Sequence, residues 1–234
     1  MRIDVQDREN YELQILDPCS THMPISFVFD LGRNTVLNKT DDSSPIRLLV
    51  SELLKCEILT ETDMRRIDVQ FISYSLGIYI EEKWMPLSLY DIDAPLSIHP
   101  NYTKELNSIH AAISQAVMSA RSMRRNYLLQ GIQSFKPQIY YITNGERYND
   151  NDVSLYPMDE LCEKTFKQNK VKLHIMHLET KQIKRLNIPY ANEYAIVNES
   201  WPSALIDFIK SKAYARPILG IEQDAYDTKT IIPI

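Results

Sequence analysis

Residues 27–35 read FVFDLGRNT, an apolar run that ends in one carboxylate and then turns polar and small. This pattern is typical of a buried strand that carries an aspartate, here Asp30, to the end of a sheet. Two classes of protein begin in this way. In one class the carboxylate attacks phosphate, and in the other it helps to hold a metal ion that bridges to a partner protein.

Composition predicts one large globular domain with a full core, or a domain with short extensions, since 44% of the 234 residues are hydrophobic and 24% are charged. The net charge of −5 gives no sign of a broad nucleic-acid surface, which needs clustered Lys and Arg. Arg121, Arg124 and Arg125 form a basic cluster, and we interpret them as cations that complement the dipole at a helix end. No apolar run is long enough for a signal peptide or a membrane span, so we predict a soluble, intracellular protein without nucleic-acid or membrane partners.

The cysteine and histidine patterns predict neither a disulfide framework nor a metal cluster. Cys19, Cys56 and Cys162 are odd in number and scattered, which is typical of a reducing compartment. His174 and His177 are three residues apart, a spacing that places side chains on opposite faces of a strand. These two histidines are therefore not expected to share a metal ion.

Short β-branched or aromatic runs alternate with helical patterns along the chain. The strand-like runs lie at 25–29, 69–80, 138–143, 171–176 and 194–197, and the helical patterns lie at 45–56, 103–125, 157–168 and around 202–209. This alternation predicts a doubly wound α/β fold, with a mostly parallel sheet and helices on both faces. The run 69–80 reads as two strands that meet near Leu76 and Gly77, which gives one antiparallel strand at the sheet edge.

Polar motifs follow the first and fourth predicted strands, where an open α/β sheet places its functional site. Together with the segment before the long helix, these motifs resemble a von Willebrand factor type A domain over residues 23–213. The resemblance leaves 1–22 and 214–234 as N- and C-terminal extensions. The segments that carry it are PISFVFDLGRNT (24–35), NYTKELNSIHAAI (101–113) and FKPQIYYITNGERYND (135–150), the last of which is most similar to the bacterial tellurite-resistance-associated branch.

The family's metal-ion-dependent adhesion site consists of D-x-S-x-S after the first strand, a Thr before a helix and an Asp in a T-D-G turn. By the resemblance, Asp30 matches the first Asp and Thr103 matches the Thr. Gly32 and Asn34 stand where the two serines belong, and Asn144 replaces the Asp of the turn. The resemblance therefore implies a degenerate site formed by these five residues.

The departures from the family pattern weaken the implied metal site. Mg²⁺ prefers an octahedral set of oxygen ligands that includes one or two carboxylates. Asp30 is the one carboxylate here, and Gly32 brings no side-chain oxygen. We therefore predict no bound cofactor, with weak Mg²⁺ binding through Asp30, Asn34 and Thr103 left open, or a site completed by an acidic side chain of the partner.

Some of these residues also have a purely structural explanation. Taken alone, Asp30 reads as a turn or capping residue, and Asn144 followed by glycine is a common turn dipeptide. The order and spacing of Asp30, Thr103 and Asn144 together favour the site.

The resemblance implies a non-enzymatic module that binds a protein partner through this face, in a bacterial system of the stress or tellurite-resistance kind. The alternative is a haloacid-dehalogenase-like, metal-dependent phosphohydrolase in which Asp30 is the nucleophile. Proteins of that class read D-x-D-x-T, whereas Gly32 stands at the place of their general acid and Asn34 at the place of their threonine. Without a general acid, phosphoryl transfer has little to drive it, so we predict that the protein is not an enzyme.

Overall fold

The structure is a computed structural model that describes residues 21–30, 49, 51–53, 55, 65–74, 78–80, 84–89, 109–143, 160–168, 170–178 and 191–196. The strands are β1 (Thr21–Asp30), β2 (Ile67–Tyr74), β3 (Ile78–Ile80), β4 (Met85–Pro86), β5 (Gln133–Ser134), β6 (Gln138–Thr143), β7 (Lys172–Leu178) and β8 (Ala191–Ile196). Two helices have defined bounds, α1 (Ile109–Leu129) and α2 (Glu160–Lys167), and a short 3₁₀ helix spans Leu87–Leu89. Residues 49, 51–53 and 65–66 are also helical.

The strands form one sheet in the order β3-β2-β1-β6-β7-β8. Strands β2, β1, β6, β7 and β8 run parallel to one another, and β3 pairs antiparallel with β2 at the edge. The short β4 also pairs antiparallel with β2, and the short β5 pairs with the start of β1. The predicted fold, a doubly wound and mostly parallel sheet with an antiparallel edge strand and flanking helices, is confirmed.

Strand positions follow the apolar runs of the sequence closely. Strand β6 coincides with the run at 138–143, and β2 and β3 are the two strands expected within 69–80. Sequence patterns gave no sign of β4 and β5, because a strand of two residues is too short to show a period of two.

Helix α1 extends beyond residue 125, the C-terminal end that its sequence pattern predicts. It ends at Leu129 because Gly131 takes a left-handed φ of 72° and the Ile132 N–H donates to the Tyr127 carbonyl at 2.9 Å. No basic residue lies in its last turn, so the interpretation of the arginine cluster as cations at the helix end is wrong. None of the helices in the described part of the chain is both long and apolar enough to cross a membrane.

One face of the sheet packs against α1 and α2. Alternate residues of four strands contribute to this core, as the period of two requires, and each helix contributes a stripe spaced by three and four residues. The cluster contains Val28, Ile72, Ile139, Tyr141, Val171, Leu173 and Ile175 from the sheet side, and Ala112, Ile113, Ala116, Val117, Ala120, Cys162 and Phe166 from the helices.

On the opposite face, a row of stacked rings crosses four strands. Phe71, Phe27, Tyr140 and His174 are register partners in succession along β2, β1, β6 and β7. Successive ring centroids lie 5.5, 5.7 and 4.9 Å apart, and each pair is stacked. His174 is also held by Gln138, whose Oε1 lies 2.9 Å from the His174 Nε2. Cross-strand ring pairs of this kind stabilise the register of the parallel sheet.

A buried polar contact joins the last turn of α1 to the amino edge of the sheet. The Nδ1 atom of His22 lies 2.7 Å from Oδ2 of Asp68, and the Tyr127 hydroxyl donates to the same Asp68 oxygen. All three side chains are buried, and the His22 and Tyr127 rings are in contact at 5.3 Å. Because His22 and Asp68 lie near the starts of adjacent strands, this contact fixes the end of α1 over β1 and β2.

Burial raises the pKa of Tyr127 well above its usual value of 10.0, and the neighbouring Asp68 adds to the rise through its negative charge and the hydrogen bond. Above pH 10.0 the phenol therefore stays protonated in the folded protein and ionises in the unfolded chain. The folded state then binds more protons than the unfolded state, so stability falls as pH rises through this range.

We predict that Tyr127→Phe lowers the free energy of unfolding at neutral pH by ~1–3 kcal/mol, because a buried carboxylate loses a hydrogen-bond donor. Above pH ~10 the wild type should lose up to ~1.4 kcal/mol per pH unit through this phenol, so the difference between the two proteins should shrink. Urea denaturation at about pH 7 and about pH 11 measures both effects.

Asp68→Asn is the matched variant, because it keeps the shape of the side chain and removes its charge. Desolvation is the larger cause of the raised Tyr127 pKa, so this variant should reduce the alkaline loss of stability without abolishing it. If the wild type and Tyr127→Phe lost the same free energy of unfolding between about pH 7 and about pH 11, the proposed role of the Tyr127 phenol would be contradicted.

Candidate functional site

The order of the strands reverses at β1, which lies between β2 and β6. Strands β1 and β6 are parallel, with Phe29 opposite Ile142, so both strands end at the same edge of the sheet. Asp30 is the last residue of β1, and Thr143 is the last residue of β6. In an open α/β sheet, ligands bind beyond the carboxyl ends of the strands at such a point, which makes this edge the candidate site.

A hydrogen bond joins the two strand ends at this point. The Thr143 Oγ1 donates to the Asp30 Oδ2 at 2.9 Å, and both side chains are 0% exposed. A buried carboxylate is costly unless it is hydrogen-bonded, and a hydroxyl donor offsets part of that cost. Asp30 is therefore a positioned acceptor within the edge of the sheet.

His177 adds an imidazole beside this pair. It is the register partner of Thr143 on β7, and its side chain is buried. It shares a face of β7 with Leu173 and Ile175, whereas His174 stacks on Tyr140 on the other face. The prediction that His174 and His177 lie on opposite faces of the strand is confirmed by this geometry.

Of the five residues predicted to form the partner-binding face, the structure describes Asp30. Gly32, Asn34, Thr103 and Asn144 lie outside the described residues, so their convergence around Asp30 stays a prediction. One part of this prediction agrees with the described strands. The segments that carry Gly32 and Asn144 begin at the ends of neighbouring strands, β1 and β6, on the same edge of the sheet.

The described donors at this edge do not fit a tightly held divalent cation by themselves. Asp30 supplies one carboxylate, and its Oδ2 already accepts the Thr143 hydroxyl. In the part of the chain that the structure describes, no group of three or more His, Cys, Asp or Glu side chains is placed to hold a metal ion. A hard cation such as Mg²⁺ takes about six oxygen ligands, so further donors would have to come from the loops.

Sequence reasoning identified Asp30 and missed the roles of Thr143 and His177 at this edge. The signal was present, because each is a polar residue at or next to the end of a buried apolar strand. His22, Asp68 and Tyr127 were missed for another reason: they are separated by 46 and 59 positions, and no motif links them.

No protein-family model matches the chain, and no curated protein sequence matches it. Among solved structures, it is similar to an aerotolerance-related membrane protein from Bacteroides fragilis that carries multiple mutations to serine. That similarity has 15% sequence identity and a TM-score of 0.46, and it covers 81% of this chain and 99% of the other.

Two further solved structures are similar at comparable levels. For BatB from Bacteroides thetaiotaomicron the identity is 15% and the TM-score 0.48, with 82% of this chain and 99% of the other covered. For the PilB minor pilin from Streptococcus sanguinis the identity is 12% and the TM-score is 0.45. This similarity covers 90% of this chain and 63% of the pilin. At these identities the similarities concern backbone architecture and not activity or partners.

We predict that Thr143→Val lowers the free energy of unfolding by ~1–3 kcal/mol, because the buried Asp30 loses the hydroxyl donor. Thr143→Ser keeps that donor and removes one methyl group, so it should cost only ~1 kcal/mol. Urea denaturation of both variants measures the difference.

A double-mutant cycle with Asp30→Ala isolates the contact from the effect of side-chain volume. We expect a coupling energy between Asp30 and Thr143 of ~0.5–3 kcal/mol. A coupling energy of zero within error would mean that the hydrogen bond does not contribute to the folded state.

Proposed function

We propose that this chain is a von Willebrand factor type A-like module that binds a protein partner at the carboxyl edge of its sheet and catalyses no reaction. The proposal rests on one observation: a buried carboxylate, Asp30, is held by Thr143 at the point where the strand order reverses. The resemblance of residues 24–35, 101–113 and 135–150 supplies the class of protein.

The proposed binding face is a degenerate form of the family's metal site. Asp30 is its anchor, and Thr143 fixes the orientation of the carboxylate. Gly32, Asn34 and Asn144 provide neutral groups or none where the family has hydroxyls and a second carboxylate. The second negative charge that would offset dehydration of Mg²⁺ is missing, so we propose that partner binding does not depend on a tightly held metal ion.

Sequence favours this proposal over a phosphohydrolase that uses Asp30 as nucleophile. Proteins of that class carry their general acid two positions after the nucleophilic aspartate. Gly32 cannot supply the general acid.

The cellular setting is also a proposal. Residues 136–150, KPQIYYITNGERYND, are most similar to the bacterial tellurite-resistance-associated branch of the family. We therefore propose a cytoplasmic bacterial setting in which the module acts beside stress-related components.

The function is tested with tagged full-length protein as bait in lysate of the source organism, with and without EDTA. We predict that Asp30→Asn reduces the amount of captured partner by roughly tenfold or more, because it removes the buried negative charge on which the proposed binding face is built. EDTA should change the captured amount little. Thermal melting of each bait checks that the variants are folded.

Lys136→Ala is the control variant, because Lys136 lies two residues before the start of β6 and so at the opposite edge of the sheet. It should capture as much partner as the wild type. Equal capture by Asp30→Asn and the wild type would contradict the proposed site. Turnover of a generic phosphatase substrate that disappears in Asp30→Asn would favour the phosphohydrolase instead.

A further inference from the structure

The outer face of α1, opposite the core, is both apolar and cationic. Met118, Leu128 and Leu129 are 42%, 52% and 68% exposed. Arg125 is exposed beside them, and Arg121 is partly exposed. At about 100° per residue, these five side chains fall within an arc of about 100° on the side of the helix away from the sheet.

The spacing of this face is that of a helix-pairing seam. Met118, Arg121, Arg125 and Leu128 follow one another at intervals of three, four and three residues, and Leu129 extends the row at its end. The apolar members lie at the two ends of the row, Met118 at one and Leu128 with Leu129 at the other, and the two arginines lie between them, so a helix laid along the row would contact all five side chains. The outer face of α1, defined by these five residues, is called the α1 seam below.

The charge on the seam selects the partner. Helix α1 contains no Asp or Glu, although the whole chain has a net charge of −5. Arg121 and Arg125 lie within the seam, whereas Arg124 is buried on the core side. A second copy of α1 would bring like charges together, so the seam is complementary to an acidic helix and not to itself.

Composition favours a protein partner over a lipid surface. The cores of protein interfaces are enriched in Met and Arg and depleted in Lys, and the charged residues of the seam are both arginines. A helix that lies in a membrane surface has a continuous apolar face with its cations on the other side. Here the arginines interrupt the apolar row.

We propose that the α1 seam docks an acidic amphipathic helix of a partner protein. The C-terminal end of the seam lies near the amino edge of the sheet, because Tyr127 in the same turn contacts Asp68 at the start of β2. The surface is therefore distinct from the carboxyl edge at Asp30 and does not depend on the function proposed for that edge.

The probes are two synthetic amphipathic peptides with leucine at both seam positions of every heptad. One peptide carries glutamate at the flanking positions, and the other carries lysine. Fluorescence anisotropy with the full-length protein should detect binding of the glutamate peptide and weak or no binding of the lysine peptide. The double variant Arg121→Glu/Arg125→Glu should lower the affinity for the glutamate peptide by roughly tenfold or more. It should raise the affinity for the lysine peptide.

Two control variants separate the seam from net charge and from the other edge. Lys55→Glu/Lys164→Glu makes the same change in net charge at exposed positions outside α1 and should keep the wild-type preference. Asp30→Asn should also keep it, so a failure at the carboxyl edge is distinguishable from a failure here. Leu128→Ser/Leu129→Ser should weaken binding of the glutamate peptide, because it removes the exposed apolar pair.

Three outcomes would overturn the proposal. They are absence of binding by both peptides, equal binding of both, and binding that does not respond to reversal of the two arginine charges. Co-sedimentation of the wild type with phosphatidylserine vesicles, without binding of the glutamate peptide, would also overturn it and would assign the surface to lipid.

Discussion

Strand β1 is hydrogen-bonded to β2 on one side and to β6 on the other, and both of its faces are buried. Val28 and the other even-numbered positions face the helices, while Phe27 and the other odd-numbered positions face the row of stacked rings. A slip of one residue would exchange these two sets and bury each against the wrong neighbours. The same slip would also move Asp30 away from Thr143, so the register of β1 determines the site as well as the core.

The register of β1 places one buried polar contact at each end of the strand. At the amino end, His22 contacts Asp68, and the Tyr127 hydroxyl of α1 donates to the same carboxylate. All three side chains are buried, so this contact is part of the core. At the carboxyl end, Asp30 and Thr143 lie where the chain leaves the sheet for its loops. The first contact holds a helix in place, whereas the second positions an acceptor at the edge where α/β sheets bind their ligands.

Sequence predicted the elements that depend on local pattern. The run at 138–143 gave β6 with its observed bounds, because four consecutive apolar or aromatic positions, 139–142, lie between the polar residues Gln138 and Thr143. Asp30 was identified since it ends such a run. The partners of these residues could not be predicted in the same way, because the hydrogen bond between Asp30 and Thr143 spans 113 positions and depends on strand order. The end of α1 was also misplaced, since the sequence does not show which glycine will take a left-handed conformation.

The distribution of function over the fold follows from the direction of the parallel strands. The carboxyl ends of the parallel strands lie along one edge of the sheet, where the proposed partner-binding face is. Their amino ends lie along the other edge, where Tyr127 in the last turn of α1 contacts Asp68. The two proposed surfaces are separate, so the two proposals together predict that two partners bind at once without competition. Binding at one surface would change binding at the other only if it moved α1 or the register of β1.

The proposed edge site is tested most directly by restoring the family's metal ligands around Asp30 and Thr103. The triple variant Gly32→Ser/Asn34→Ser/Asn144→Asp returns two hydroxyls and the second carboxylate. If these residues converge, Mg²⁺ at ~100 times its Kd should stabilise the variant by about 2.7 kcal/mol, seen as a clear rise in melting temperature. The wild type should change little at the same Mg²⁺ concentration. A folded triple variant that is indifferent to Mg²⁺ would contradict the proposed site, and a wild type already strongly stabilised by Mg²⁺ would contradict the proposal that the site is degenerate.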